Sequence, residues 1–165
     1  MKARDHIVLG GAASFLIYPP LSPAAIVFWL ASVLIDVDHY VDFVYRNGFT
    51  ELRVKKMFDY HETLKGLWRR PELLHISLFH TVEFIGGFYL LGLWTGSPLM
   101  KAALMGILFH IVLDAIFMAR YNILFVRAYS ITEYIVRRRR LLSRGVEPEA
   151  VYREALEELK EPGGG

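Results

Sequence analysis

The sequence predicts an all-α protein: a polytopic membrane helical bundle with about four membrane segments, a basic amphipathic loop helix and a C-terminal cytoplasmic helix. Two observations predict this fold class. Hydrophobic residues make up 54% and aromatic residues 14% of the 165 positions, which is too apolar for an ordinary small soluble domain. The apolar residues are concentrated in four long runs, separated by turns rich in Pro, Gly and Ser. The chain also contains no cysteine, which excludes disulfides and thiolate zinc sites.

The first two apolar runs cover residues 7–18 and 23–45. The first rises only about 18 Å as a helix, and its small residues at positions 10–14 predict close packing against a neighbouring helix. A signal peptide is the alternative, but a Pro-Pro pair leads into the second run without a convincing cleavage site. We therefore expect a first membrane helix, short for a span. Ser22 and Pro23 suit the N-cap and first residue of the second helix, which is long enough to span.

Between residues 49 and 71, basic residues alternate with apolar ones. This pattern is typical of an amphipathic segment that lies along an anionic membrane surface, and equally of a solvated loop with one helix. The third and fourth apolar runs cover residues 72–94 and 99–118, and a charged helix is predicted at residues 147–160.

The distribution of basic residues predicts the topology. Lys and Arg lie near both termini and in the loop after the second run, whereas the turns at residues 19–22 and 95–97 carry none. By the positive-inside rule, we expect a multi-pass protein of the cell membrane with both termini cytoplasmic. Residues 1–127 would form a membrane-embedded domain that carries a metal site, and residues 128–165 a basic, charged cytoplasmic tail. Because the basic clusters flank apolar runs, no nucleic-acid partner is expected.

Four ionisable side chains, Asp36, Asp38, His39 and Asp42, close the second apolar run. Charge at the edge of such a segment is rare and usually functional. On a helix, Asp38 and Asp42 share a face and His39 flanks it. Carboxylates and an imidazole on one face are the ligands of a divalent metal ion, although an N-capping or interfacial acid cluster is the simpler alternative.

The predicted topology puts further ionisable residues at this same end of the helices. They are His6, His75, His80, Glu83, His110 and Asp114. His110 and Asp114 are four residues apart, so they project together as two ligands of one metal would. His75 and His80 lie about 140° apart around a helix, so either they serve two metals or the helix starts after His75. His61 is predicted to be a surface residue.

Four short motifs in this order resemble a known family. They are His6, then Asp36-Val-Asp38-His39, then His75-x4-His80-Thr81, then Gly106-x3-His110-x3-Asp114. Their order is similar to that of the YdjM-type family of membrane-bound metal-dependent hydrolases, also labelled LexA-binding, inner-membrane-associated hydrolases. The resemblance covers roughly residues 6–120 and implies a membrane-bound, metal-dependent hydrolase.

The chain departs from the pattern of that family at three places. Ile35 stands where the family has Pro, Ile76-Ser77 where it has Arg-Gly, and Thr81 where it has Ser. The replaced Arg is of the type that clamps an oxyanion or a phosphate. We therefore expect substrate handling to differ from that of the family, or activity to be reduced.

The residues and the resemblance together predict a membrane-bound hydrolase that cleaves a phosphoester or an ester, with a lipid or another small molecule as substrate and membrane lipids as partners. Zinc is the expected cofactor and manganese the alternative. Glu83 or Asp42 is the predicted catalytic base. The predicted ligands of one or two ions are His6, Asp38, His80, His110 and Asp114, with Asp36, His39, Asp42 and His75 in supporting or second-metal positions.

Two other functions remain open from the sequence. A metal or ion transporter would also carry intramembrane His and Asp residues, but it would need polar groups that continue toward the far side of the membrane. A non-catalytic membrane scaffold would use the basic run at residues 137–140 to bind lipids or an acidic partner, and would keep the metal site only as a relic.

Overall fold

The computed structural model describes residues 3–160, and the fold is mostly helical (73%). Its contacts divide the chain into two compact units, and each unit combines two separate segments. The first unit contains residues 3–36 and 78–124, and the second contains residues 37–77 and 125–160. The boundary predicted between residues 127 and 128 stays a prediction.

The helices, in chain order, are α1 (Ala3–Ile17), α2 (Pro23–Leu34), α3 (Val37–Arg46), α4 (Val54–Gly66), α5 (Val82–Thr95), α6 (Pro98–Arg120), α7 (Ile131–Leu142) and α8 (Glu149–Glu158). Two-residue strands β1 (His75–Ile76) and β2 (Arg127–Ala128) form a parallel bridge, and short 3-10 turns cover Leu78–His80 and Leu124–Val126.

Three helices of the first unit, α2, α5 and α6, begin at side-chain caps. Ser22 accepts a hydrogen bond from the backbone of Ala25 at 3.2 Å, with Pro23 as the first helical residue, as the sequence predicts. Thr81 caps α5 in the same way, and Gly96 ends that helix in the left-handed conformation at φ 63°. These caps fix where each apolar helix starts.

Two of the predicted helical runs are shorter than expected. The run at residues 23–45 is not one regular helix, because a turn at Ile35 and Asp36 separates α2 from α3. The run at residues 72–94 is helical only from Val82, and the preceding residues form β1 and a 3-10 turn. Both differences matter for the predicted metal site, because its candidate ligands Asp36 and His80 lie in these irregular segments.

Within the first unit, glycines let the helices approach closely. A Cβ on Gly106 of α6 would lie 2.2 Å from the carbonyl oxygen of Phe28 in α2. A Cβ on Gly10 of α1 would lie 2.3 Å from Oγ of Ser32, also in α2. The predicted close packing of α1 through its small residues is confirmed. The indole of Trp29 adds a hydrogen bond to the Ile7 carbonyl at 3.0 Å.

The second unit has its own apolar core, built from α3, α4 and α8. The amphipathic helix α4 buries Met57, Tyr60 and Leu64, and α8 contributes Val151 and Tyr152. The C-terminal charged helix is therefore a packed part of this unit.

By length and composition, two helical stretches are able to cross a membrane: Pro23–Arg46 and Pro98–Arg120. The apolar helix Val82–Thr95 is shorter, with 14 residues, and α1 has 15. Two spans are thus compatible with the structure, and the predicted bundle of four stays a prediction.

Candidate metal centre

Five ionisable side chains meet in the first unit. Residues that the sequence predicts as ligands supply all of them: His6 from α1, Asp36 from the turn after α2, His80 from the 3-10 turn before α5, and His110 and Asp114 from α6. Four of them are almost fully enclosed, with exposed fractions of 2% for His6, 3% for His80, 0% for His110 and 4% for Asp114.

The spacing of their donor atoms suits a metal ion. Two ligands about 2.1 Å from a tetrahedral zinc ion lie roughly 3.4 Å apart. Nε2 of His110 lies 3.3 Å from Asp36 Oδ1 and 3.7 Å from Asp114 Oδ2. Nε2 of His80 lies 3.6 Å from the same Asp36 oxygen and 3.1 Å from Nε2 of His110. These separations match the edges of a coordination polyhedron.

His110 is held in the orientation that a ligand needs. Its Nδ1 lies 2.7 Å from the carbonyl oxygen of Ser32, two residues before the end of α2. A carbonyl oxygen can only accept, so Nδ1 carries the proton and donates it. In the neutral ring Nε2 then presents its lone pair to the two carboxylates, which is the usual orientation of a metal-binding histidine.

His6 provides a further test of the fit. Neither of its ring nitrogens makes a hydrogen bond to any residue of the described chain, although both are buried. Nε2 lies 3.3 Å from Asp114 Oδ1, and the ring stacks on that of His110 with centroids 3.8 Å apart. A buried polar group without a partner costs about 1–3 kcal/mol. A cation coordinated by Nε2 would offset that cost at Nε2, so the donor set fits a metal.

The donor atoms form two overlapping groups of three, His6 with Asp36 and His110, and His80 with His110 and Asp114. All the atoms of a group lie within 4.8 Å of one another. His110 belongs to both groups but has only one free lone pair, because Nδ1 is engaged by Ser32. It can therefore bind one ion, and a second ion would need a bridging carboxylate. The arrangement favours one ion with up to five protein ligands.

The predicted ligand Asp38 and the supporting residues His39, Asp42 and His75 belong to the second unit. Asp38 is buried in the first turn of α3. Asp42 accepts from Arg46 Nε through both carboxylate oxygens, at 2.8 and 2.9 Å. It is thus an ion-pair partner, and that pair would have to open before Asp42 could act as a base.

Both ring nitrogens of His75 face hydroxyl groups. Nε2 lies 3.0 Å from Ser77 Oγ, and Nδ1 lies 3.4 Å from the hydroxyl of Tyr152. Burial and the cationic side chains of His39 and Arg127 hold the pKa of His75 well below its ordinary value of 6.5. A metal ion at His75 would have to displace a hydroxyl.

Glu83, the other predicted base, lies in the first turn of α5 and its side chain is exposed. The helix that carries it begins two residues after the ligand candidate His80. An acidic residue in a first helical turn is also favoured by the helix dipole, which is a structural reason for its presence.

Sequence reasoning missed two contributors. The Ser32 carbonyl is one; as a backbone group it is present whatever residue stands at that position, so no residue pattern signals it. The other is His61, predicted on the surface, which is half-buried with its ring 5.0 Å from that of His39. Its Nε2 lies 3.2 Å from the His39 carbonyl oxygen, a contact that no local pattern predicts.

Comparison with known proteins adds no relative: no family model, no curated protein and no solved structure matches the chain.

Proposed function

We propose that the chain is a membrane-embedded, metal-dependent hydrolase with one divalent ion in the first unit. The ligands would be His6, Asp36, His80, His110 and Asp114. The observation that carries the proposal is the convergence of these buried donor atoms at ligand spacing, with His110 oriented by the Ser32 carbonyl. Asp36, which the sequence placed in a supporting position, is proposed here as a direct ligand, and the role of Asp38 stays a prediction.

The donor set indicates the class of metal. Three imidazoles and two carboxylates suit zinc and related transition metals, and the share of carboxylate makes manganese the alternative. With no cysteine in the chain, a thiolate ligand is excluded. Zinc is the first ion to test.

A divalent ion at this site would supply Lewis-acid stabilisation of the negative charge that develops on the scissile group. The protein would supply the rest. Ser32 keeps the His110 proton on Nδ1, and the near-complete burial of His6 and His110 keeps water from screening the site. Glu83 is the proposed proton acceptor, because Asp42 is held by Arg46. A phosphoester or an ester is the proposed substrate.

Exposed apolar surface supports the membrane location. Only 28% of the Pro23–Arg46 window and 33% of the Pro98–Arg120 window are buried, whereas the core helix of a soluble protein is mostly buried. α1 and α5 also expose large apolar side chains, among them Leu16 at 87% and Trp94 at 85%. We propose that these helices face lipid in a multi-pass protein with cytoplasmic termini, and that a lipid is the natural substrate.

The transporter alternative has less support. The buried face of α6 before His110 is formed by Ala102, Gly106 and Ile107, and none of them is ionisable. An ion pathway would need polar groups along that face. The resemblance of the four motifs to membrane-bound metal-dependent hydrolases also favours a hydrolase over a transporter, and it is part of the same proposal.

The experiment is elemental analysis of the detergent-purified protein beside His110→Ala, with His61→Ala as a matched control from outside the site. We expect one equivalent of zinc or manganese in the wild type and in His61→Ala, and none in His110→Ala. A screen of phosphoesters and lipid esters should then give hydrolysis that follows the metal content. A wild type without metal after reconstitution with excess ion would overturn the proposal, and metal flux without hydrolysis would favour the transporter.

A further inference from the structure

A second polar cluster lies wholly within the second unit and is not used by the proposed metal centre. Five elements meet there: α3 supplies His39 and Arg46, α4 supplies His61, and the strands supply His75 and Arg127 in direct register. The ring of His39 lies 5.0 Å from that of His61 and 5.7 Å from that of His75. Tyr152 of α8 completes the cluster through its contact with His75.

The cluster is rich in cationic groups. The strongest charge influences on His75 come from His39, Arg127, His61 and Arg46, and all of them are cationic or become so on protonation. Arg127 is only 9% exposed, which is unusual for an arginine. Asp42 is engaged by Arg46 through both carboxylate oxygens. His75 is therefore surrounded by basic side chains, of which Arg46 is paired with Asp42.

Arg46 is fixed in place as an anion-binding arginine would be. Its Nε donates to Asp42, and its guanidinium carbon lies 3.4 Å above the centre of the Tyr152 ring. Tyr152 is itself anchored by a hydrogen bond from its hydroxyl to the Leu74 carbonyl at 2.8 Å. Neither Nη group of Arg46 makes a hydrogen bond to any of residues 3–160, so both keep their donors for a ligand.

From this arrangement we propose that the second unit binds a phosphate group, with Arg46 and Arg127 as the anchoring cations and His39 as a further donor. A guanidinium fork matches the oxygens of a phosphate better than an ammonium does, and a guanidinium held from two sides loses little entropy on binding. The phosphate can be free or part of a lipid headgroup. The site stands independently of the metal centre.

The test is titration of the full-length chain in detergent with inorganic phosphate, in the presence of a chelator that removes any metal. Sodium chloride at equal ionic strength serves as the blank. We expect saturable binding by the wild type. Arg46→Lys keeps the charge and the Asp42 partner but loses the fork, so it should bind at least about tenfold more weakly. Arg139→Gln removes an exposed cation of the same unit and should bind as the wild type does.

A second arm identifies the source of the phosphate. Vesicles of phosphatidylcholine with and without phosphatidic acid are offered to the same proteins. Arg46-dependent binding of inorganic phosphate supports a site for free phosphate, and Arg46-dependent binding of phosphatidic acid alone supports a lipid headgroup. Circular dichroism establishes that Arg46→Lys is folded, and Arg127→Lys replaces it if it is not.

The proposal is overturned if the wild type binds neither form of phosphate. It is also overturned if Arg46→Lys and Arg139→Gln weaken binding equally, because binding would then follow general surface charge. Since the chelator is present throughout, loss of metal binding in the first unit would leave these outcomes unchanged.

Discussion

Replacing Gly106 by Ala tests whether helix packing in the first unit builds the metal centre. The added Cβ would lie 2.2 Å from the Phe28 carbonyl oxygen and 3.0 Å from its carbonyl carbon. Even close carbon–oxygen contacts need roughly 3.3 Å. Both clashing atoms belong to the backbone, so no side-chain rotation relieves the contact, and α2 and α6 would have to separate by about 1 Å.

That separation would reach the proposed ligand His110, which lies one helical turn after Gly106. A rigid shift of this size would lengthen the His110 Nδ1 to Ser32 oxygen distance from 2.7 Å to about 3.7 Å, which is beyond hydrogen-bond range. We expect a loss of about 1–3 kcal/mol in the free energy of unfolding from overpacking. Loss of the orienting partner should weaken metal binding by about 10–100-fold.

The assay combines thermal unfolding in detergent with metal titration, and Gly86→Ala is the matched control. A Cβ on Gly86, inside α5, would meet nothing within 4 Å. That substitution should leave metal binding unchanged and stabilise the helix by up to about 1 kcal/mol. If Gly106→Ala were as stable as Gly86→Ala, the close approach of α2 and α6 would be wrong. If it lost stability but kept full metal affinity, the packing of α2 against α6 would not control the geometry of the metal centre.

Three further outcomes are expected. Trp29→Phe removes the hydrogen bond to the Ile7 carbonyl and should lower the free energy of unfolding by about 1 kcal/mol. The control Trp94→Phe, at a position 85% exposed, should change the thermal midpoint little. Ser130→Ala removes the N-cap of α7, which accepts from two backbone amides, and should cost about 1 kcal/mol by chemical denaturation. The pKa of His75 is lowered in the folded state, so at low pH the unfolded state binds one more proton than the folded state does. The free energy of unfolding should therefore fall as the pH drops below about 6.5, by up to roughly 1.4 kcal/mol per pH unit. His75→Asn should remove this one-proton slope in denaturation curves measured across that range, and an unchanged slope would contradict the assignment.

Local patterns predict which side chains share a face. His110 and Asp114 are four residues apart on a regular helix, so their joint projection follows from helix geometry alone. The cap at Ser22 and the close packing of small residues in α1 are predictable for the same reason, since each depends on a few neighbouring positions. The helical character of the chain follows from these patterns too.

Which side chains from other helices each of these faces meets is decided by long-range packing. The sequence placed Asp38 among the direct ligands and Asp36 in a supporting position. In the structure Asp36 faces His110, because α2 ends at Leu34 and the following turn redirects the chain, and the role of Asp38 stays a prediction. The contact between Gly106 and Phe28 joins positions far apart in the chain and sets the spacing of the site.

The sequence by itself determined a helical, apolar protein and most of the ligand candidates, because helix periodicity and residue chemistry are local properties. The sequence also predicted that His6, His80, His110 and Asp114 lie at the same end of the helices. The tertiary structure alone decided that Asp36 directly faces His80 and His110, and that His61 and Tyr152 join His39 and His75 in the other unit. These side-chain contacts depend on which helix surfaces pack against one another. That fit is a property of the whole packed chain and not of any short stretch of it.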